Sequence, residues 1–394
     1  MRGIWVCLLP VGLLASPLPS AAPPKEASPF CSDSEATRRF LKELCDFISK
    51  EKQDVPTIFI GGYYMRTLVA GYEIFGERRY LDVAIAYADN LLKKQSPRGY
   101  WGTGYGNIYL ADTGSALGLF LVLSKHVAKE KQKEYFDAIQ RYVTAIETDG
   151  LINSSGAIGT GWRATKDGTI TGPYKDEYTI SSGLTGAQIF TWMHHTTKNE
   201  KYRQVAVSAL RWILSTMRED GVIPYVLAGE GTVLGKKGDP KNDQGLWERW
   251  PYCTSAYVGE GLLSFDLYCA QAEWKAEIRK KIKPHIEWLL RTQNPDGAWT
   301  VKGSQDQKRS PGVVNFLIWY HQNVDKDPRI VAAVRKFNQF LLIPDRAKAF
   351  GILTAGGQSL DPKTGKAYLG NDIITSLTGR AVADILSPGI DSKW

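Results

Sequence analysis

The chain has 394 residues, 43% hydrophobic, 11% aromatic and 23% charged. That is globular composition, far from the low-hydrophobicity, high-charge corner where chains stay disordered, and it supports a sizeable core. Lys plus Arg outnumber Asp plus Glu by 49 to 41, a net charge of +8, with no basic run long enough for a nucleic-acid arm. A mildly basic surface suits an anionic ligand such as an acidic glycan, and it equally serves plain solubility.

Arg2 precedes the apolar run Ile4 to Leu14 and the small, Pro-rich stretch Ala15 to Pro24, the order of a secretory signal. The expectation is a signal peptide over 1–20, a linker over 21–33 and one folded domain over 34–394, in a secreted or periplasmic protein. The apolar run is too short to span a bilayer, and no later segment reaches about 18 apolar residues, so no membrane span is expected. Losing the signal removes Cys7 and leaves Cys31, Cys45, Cys253 and Cys269, an even number compatible with disulfides and equally with buried thiols. Cys253 and Cys269 bracket one expected helix, too far apart to bond each other, so any bridge would tie the N-terminal segment to that helix. Asn153-Ser154-Ser155 is a glycosylation sequon.

Strand signals are nearly absent, whereas helical periodicity recurs, as in Leu68, Tyr72 and Phe75 and then Tyr80, Val83, Ala84, Tyr87 and Leu91. The segments pair through similar short turns: Phe75-Gly-Glu-Arg-Arg-Tyr80, Thr197-Lys-Asn-Glu-Lys-Tyr202 and Asn323-Val-Asp-Lys-Asp-Pro328. First helices are expected to start near Gly62, Asp112, Ile180, Thr254, Val313 and Asp372. Second helices follow over Arg79 to Gln95, Gln132 to Glu147, Lys201 to Met217, Trp274 to Gln293 and Pro328 to Leu342, and Ser34 to Lys50 can supply a sixth by packing beside the last. Ala111 to Leu123 and Ser181 to Met193 are small and apolar nearly all round, whereas Gln132 to Glu147 and Trp274 to Gln293 carry charge on one face. That contrast is what an inner and an outer ring require. The fold class is therefore all-α, an (α/α)6 toroid, with an open solenoid of the same hairpins as the alternative. Long connections, Ser96 to Leu110, Asp149 to Thr179, Glu219 to Cys253, Asn294 to Gly312 and Ile343 to Gly370, fall on the face where the inner helices begin, the expected site.

Gln95-Ser-Pro-Arg-Gly-Tyr-Trp101, Gln293-Asn-Pro-Asp-Gly-Ala-Trp299 and Asp112-Thr-Gly-Ser-Ala-Leu117 resemble the loops and inner-helix starts of the six-hairpin glycosidase-like superfamily. This group includes many glycoside hydrolases and unsaturated uronyl hydrolases, with polysaccharide lyases on related toroids. The resemblance covers nearly the whole mature chain and implies a carbohydrate-active enzyme. In unsaturated uronyl hydrolases, acidic residues at inner-helix starts act as general acid and base, so the resemblance implies that role for Asp112, which otherwise reads as a helix cap. Where a second Asp might head the next inner helix, this chain has Ser181 and Ser182.

Asp176 and Glu177 are the next candidates for the second carboxylate that glycoside hydrolysis needs, or else simple residents of a helix start. Trp247, Arg249, Trp250 and Tyr252 form a plausible subsite wall, since aromatic faces stack on pyranose rings while Arg fixes hydroxyls or carboxylates. Trp101 and Tyr105 bring aromatics to the same face, with smaller contributions expected from Tyr63, Arg66, Asn315 and Asp372. Tyr252 with Arg249 also suits a lyase, a Tyr taking the C5 proton of a uronate, and a non-catalytic glycan-binding toroid is the third reading. No cofactor and no metal are expected: His194 and His195 lie at the opposite end of an inner helix with no further ligand at metal spacing, and no phosphate loop or dinucleotide fingerprint occurs.

Overall fold

The computed structural model describes residues 28–55, 57–102, 106–165, 167–225, 251–300, 310–356 and 369–390. The first hairpin and its neighbour are α1 (Ser34–Glu51), α2 (Ile58–Phe75) and α3 (Arg78–Lys93), followed by strand β1 (Ile108–Tyr109), α4 (Leu110–Leu123) and α5 (Lys129–Thr148). Strands β2 (Gly159–Ala164) and β3 (Ile170–Glu177) lead into α6, whose segments Thr179–Ser181, Ser182–Ile189 and Phe190–Thr197 run end to end. The rest comprises α7 (Glu200–Ser215), α8 (Pro251–Tyr268), α9 (Ala272–Thr292), α10 (Gly312–Asn323), α11 (Pro328–Leu341), the short α12 (Pro344–Phe350) and α13 (Leu369–Leu386).

Helices α2, α4, α6, α8, α10 and α13 pack each on the next, and α13 packs back on α2. The ring closes, which excludes the open solenoid. α1 packs on both α2 and α13 and so completes the outer set from the far end of the sequence. Burial follows composition: in α4 every residue except Asp112 is buried, whereas α5 buries one stripe, Tyr135, Ala138, Ile139, Tyr142, Val143, Ala145 and Ile146, as an outer helix with a wet face must. Each fully buried Leu, Ile or Phe of the shared core contributes about 1.5–3 kcal/mol of transfer free energy. Among the described residues, no helix is long and apolar enough to cross a membrane.

Within pairs, the similar turns draw on two devices. Gly76 and Lys198 both end an inner helix in the left-handed region, at φ 74° and 58°, and two of the second helices open on side-chain caps, Asn199 accepting from the Lys201 amide at 3.0 Å and Asp327 from the Arg329 amide at 2.8 Å. After four outer helices a second turn repeats. Ser96, Asn153, Arg218 and Asn294 each donate a backbone N–H 2.9 Å to the carbonyl four residues on. The glycine between them, Gly99, Gly156, Gly221 or Gly297, has φ between 93° and 106°. A Cβ there would sit within 2.8 Å of a backbone carbonyl of the next outer helix, on Arg141, Ser208, Pro284 and Lys336 in turn, so these positions demand glycine.

The sheet departs from expectation, and the cysteines take one of the two alternatives the sequence left open. Strands β2 and β3 of the connection Asp149 to Thr179 form an antiparallel hairpin that turns at Thr165 to Thr169 with Gly168 at φ 87°, and β1, at the end of the connection Ser96 to Leu110, pairs with β2 to give the order β1-β2-β3. Cys31, Cys45 and Cys269 are buried free thiols, so no bridge ties the N-terminal segment to α8 through them. Instead, Ser32 donates both its N–H and its hydroxyl to Asn338 Oδ1 on α11, at 2.9 and 2.7 Å. Segment 1–20 lies outside the described residues, whereas the end of the expected linker is packed, with Phe30 buried edge-on to His321.

Candidate active site

Two strands of the sheet run straight into inner helices, β1 into α4 and β3 into α6, and deliver carboxylates to the face where those helices begin. Asp112 is the third residue of α4, and Tyr109 occupies the N-cap. The carboxylate therefore does not occupy the N-cap position. It sits in the first turn, where the helix dipole favours its charge, and that charge, after burial, helps push the Tyr142 hydroxyl above its ordinary pKa.

Asp176 and Glu177 end β3 instead of starting the helix, whose N-cap is Tyr178. Asp176 is 17% exposed, with Arg163 Nη2 at 4.0 Å from Oδ2, and that oxygen has no hydrogen-bond partner among the described residues. Burial raises its pKa, and the nearby Arg163 only partly offsets the rise. Glu177 accepts from the Ser155 hydroxyl at 2.5 Å. In the register, Tyr109 faces Gly161 and Gly161 faces Tyr174, so Asp112 and Asp176 lie just beyond one line across the sheet. They follow the same end of β1 and β3, strands whose lines lie two strand spacings, about 10 Å, apart.

The serines at the expected second-Asp position pack internally. Ser182 Oγ donates to the Tyr178 carbonyl and accepts from the Ile158 amide, both at 2.9 Å, and Ser181 is buried.

Several sequence candidates are buried in packing or in polar networks of the ring. Trp101 is 2% exposed and its indole donates to the Leu91 carbonyl at 2.7 Å, which caps the end of α3 and leaves no face for a sugar. Arg66 is buried on the ring axis, with Nη1 at 2.6 Å from Glu260 Oε2, and Arg380 Nη1 is 2.6 Å from Glu260 Oε1. Tyr63 lies under both guanidiniums, at 5.6 and 4.7 Å from its ring, and stacks on Tyr257, so it is the buried floor of the ring. Asn315 donates to Asp384 Oδ2 at 2.6 Å in the same axial network. Tyr252 is buried on Trp288, its hydroxyl reaching the Thr292 carbonyl at 3.3 Å, and burial raises its pKa, a poor setting for a lyase base. Asp372 stays at the site face but is held by Tyr64 at 2.7 Å and Lys52 at 2.9 Å, beside a groove of about 300 Å³. Tyr105, Trp247, Arg249 and Trp250 lie outside the described residues.

Sequence reasoning missed Glu260, Arg163 and Asp149. Asp149 receives the Trp162 indole at 2.6 Å and two bonds from Arg98. Arg163 had a legible signal, the alternation of Gly-Thr-Gly-Trp-Arg before the Asp-Gly of a hairpin turn; Glu260 is a lone acid in an apolar run, visible only once the ring closes. Among the described residues no three His, Cys, Asp or Glu side chains gather as for a metal.

No protein-family model matches the chain, and no curated protein matches its sequence. Solved structures do. An unsaturated glucuronyl hydrolase specific for heparin superposes with TM-score 0.62 at 12% identity, over 92% of this chain and 100% of that one. A polysaccharide lyase gives 0.61 at 13% identity over 89% and 97%. An inactive variant of the α-1,6-mannanase from a Salegentibacter species, bound to α-1,6-mannotriose, gives 0.60 at 12% over 89% and 99%. The chain shares the (α/α)6 toroid fold of these structures. In this toroid the repeated Gln, Gly and Trp residues are architecture: Gln95 Nε2 bridges the carbonyls of Gly99 and Ala138, and Gln293 Nε2 those of Gly297 and Ala333, all at 2.8 Å.

Proposed function

We propose that this toroid is an exported carbohydrate-active enzyme, a glycoside hydrolase acting on a poly- or oligosaccharide at the inner-helix N-terminal face. The observation that carries the reading is Asp176, a carboxyl whose pKa burial holds above the ordinary value beside the start of an inner helix. A carboxyl shifted in that direction is the better candidate of the two to hand a proton to the leaving glycosidic oxygen. Asp112, at the positive end of α4, is favoured as the ionised partner, the base or nucleophile. Structures of the same fold lend support: the inactive α-1,6-mannanase variant carries substitutions at two adjacent aspartates, and Asp176 and Glu177 are likewise adjacent acids.

The test is a panel of α-1,6-mannotetrose, heparin and neutral polysaccharides, read in parallel for new reducing ends and ultraviolet absorbance. Reducing ends without absorbance support the hydrolase. Absorbance transfers the reaction to a lyase, and binding with silence in both means a glycan-binding toroid. Export is checked by the N-terminus of protein recovered outside the cytoplasm, expected to lack about the first 20 residues.

A further inference from the structure

The turn that carries Asp112 is latched from two sides. Leu110 opens α4, two residues before Asp112, and its carbonyl oxygen lies 3.1 Å from Thr185 Oγ1 and 3.3 Å from the Tyr142 hydroxyl. Those two hydroxyls are themselves 2.9 Å apart. Three oxygens share two hydroxyl protons, so a consistent arrangement is Tyr142 donating to Thr185 and Thr185 donating to Leu110. All three residues are buried, where a satisfied hydroxyl chain holds its members in one geometry.

Thr185 reaches that carbonyl because of two local devices. It sits in the π-helical segment Ser182–Ile189, whose wider turn carries an extra residue and re-aims the side chains after it. Across the contact stands Gly114, where a Cβ would meet both Thr185 Oγ1 and Leu184 Cβ at 3.0 Å. The Asp-Thr-Gly run that opens α4 thus has a division of labour: the glycine admits the neighbouring helix, and the aspartate is held by what the glycine admits.

We propose that Thr185, backed by Tyr142, is a positioning residue that fixes the first turn of α4 and so the direction of the Asp112 carboxylate. The proposal rests on the assignment of Asp112 to the chemistry, and it gives the π segment a purpose beyond packing. Thr185 touches no reacting atom; it acts through the Leu110 carbonyl.

The experiment compares Thr185→Val, which keeps the shape and loses the hydroxyl, with Thr185→Ser, which keeps the hydroxyl, and with Asp112→Asn. The Asp112 carboxyl is followed by NMR in protein labelled at aspartate 13Cγ, Asp112→Asn identifying its signal, and turnover is measured on whichever panel sugar the wild type cleaves. Thr185→Val is expected to move the Asp112 titration midpoint by about half a pH unit or more. It is also expected to lower kcat about tenfold with KM within about twofold, since misplacement of a reacting group costs rate rather than binding. Thr185→Ser restores both. A Thr185→Val protein that is folded and keeps the wild-type Asp112 titration overturns the latch, with or without turnover. Full turnover by Asp112→Asn overturns the catalytic assignment instead, and the titration then decides the latch alone.

Discussion

Arg66 and Glu260 meet on the axis of the inner ring, Nη1 to Oε2 at 2.6 Å, with both side chains 5% exposed or less. Burial alone would raise the Glu260 pKa, yet Arg380 and Arg66 outweigh it and hold the carboxyl down at about 2. Glu260→Gln leaves two guanidiniums facing each other across a neutral amide. A loss of about 3–5 kcal/mol is expected, the cost of breaking a buried pair by removing one partner, read as a shift in the denaturant midpoint at pH 7. Because the folded pKa is depressed, this stabilisation is complete above about pH 4.5 and is lost as pH falls toward 2.

His285 sets a second acid limb at higher pH. Its Nε2 lies 2.9 Å from Ser255 Oγ and its Nδ1 lies 2.8 Å from the Gly221 carbonyl, and burial brings its pKa down to about 4. The native ring is neutral, so the unfolded chain binds the proton first: stability is complete above about pH 6.5 and declines as pH falls toward 4, by about 3 kcal/mol in all. Denaturation series between pH 4 and 7 should show this slope, and His285→Gln should flatten it.

The Gln-Gly-Trp loops are expected to govern stability and leave turnover alone. Gln95→Ala removes two hydrogen bonds to backbone carbonyls, a loss of about 1–3 kcal/mol. Gly297→Ala places a Cβ 2.4 Å from the Lys336 carbonyl at φ 106°, and its cost should exceed about 2 kcal/mol. Melting curves and kcat measured well below the melting point separate these effects; an unchanged melting point with a fallen kcat contradicts the structural role.

These loops show what a sequence of this kind makes legible. The hairpins were readable because inner and outer helices differ in composition, as the fully buried α4 and the striped α5 do, and all six inner helices begin within four residues of expectation. The sheet was missed because the helical period dominates the chain, although Gly168 after Asp167 marks its turn. Site candidates fared less evenly. Trp101, Tyr63 and Arg66 look like sugar-binding residues in one dimension, since aromatic and Arg side chains serve a buried ring axis as readily as a cleft. Asp112 stood out for a different reason, as a carboxylate in an otherwise apolar helix start, whereas Asp176 was singled out beside a helix start and ends a strand instead.

Arg163 tunes the proposed acid. It is 47% exposed, stacks at 4.2 Å over Tyr174 and lowers the Asp176 pKa from 4.0 Å away. Arg163→Gln removes that brake, so the alkaline limb of the kcat/KM profile, where Asp176 loses its proton, should move to higher pH. An unmoved limb would mean that another group supplies the proton.

The most direct test of the account is reducing-end release by Asp176→Asn, measured beside wild type on the panel sugar that wild type cleaves, with unfolding midpoints recorded for both. Wild type is expected to release reducing ends without ultraviolet absorbance, and Asp176→Asn to keep its fold while losing about 100-fold or more of its kcat. An Asp176→Asn enzyme within about threefold of wild type, or a wild-type product that absorbs in the ultraviolet, would contradict it.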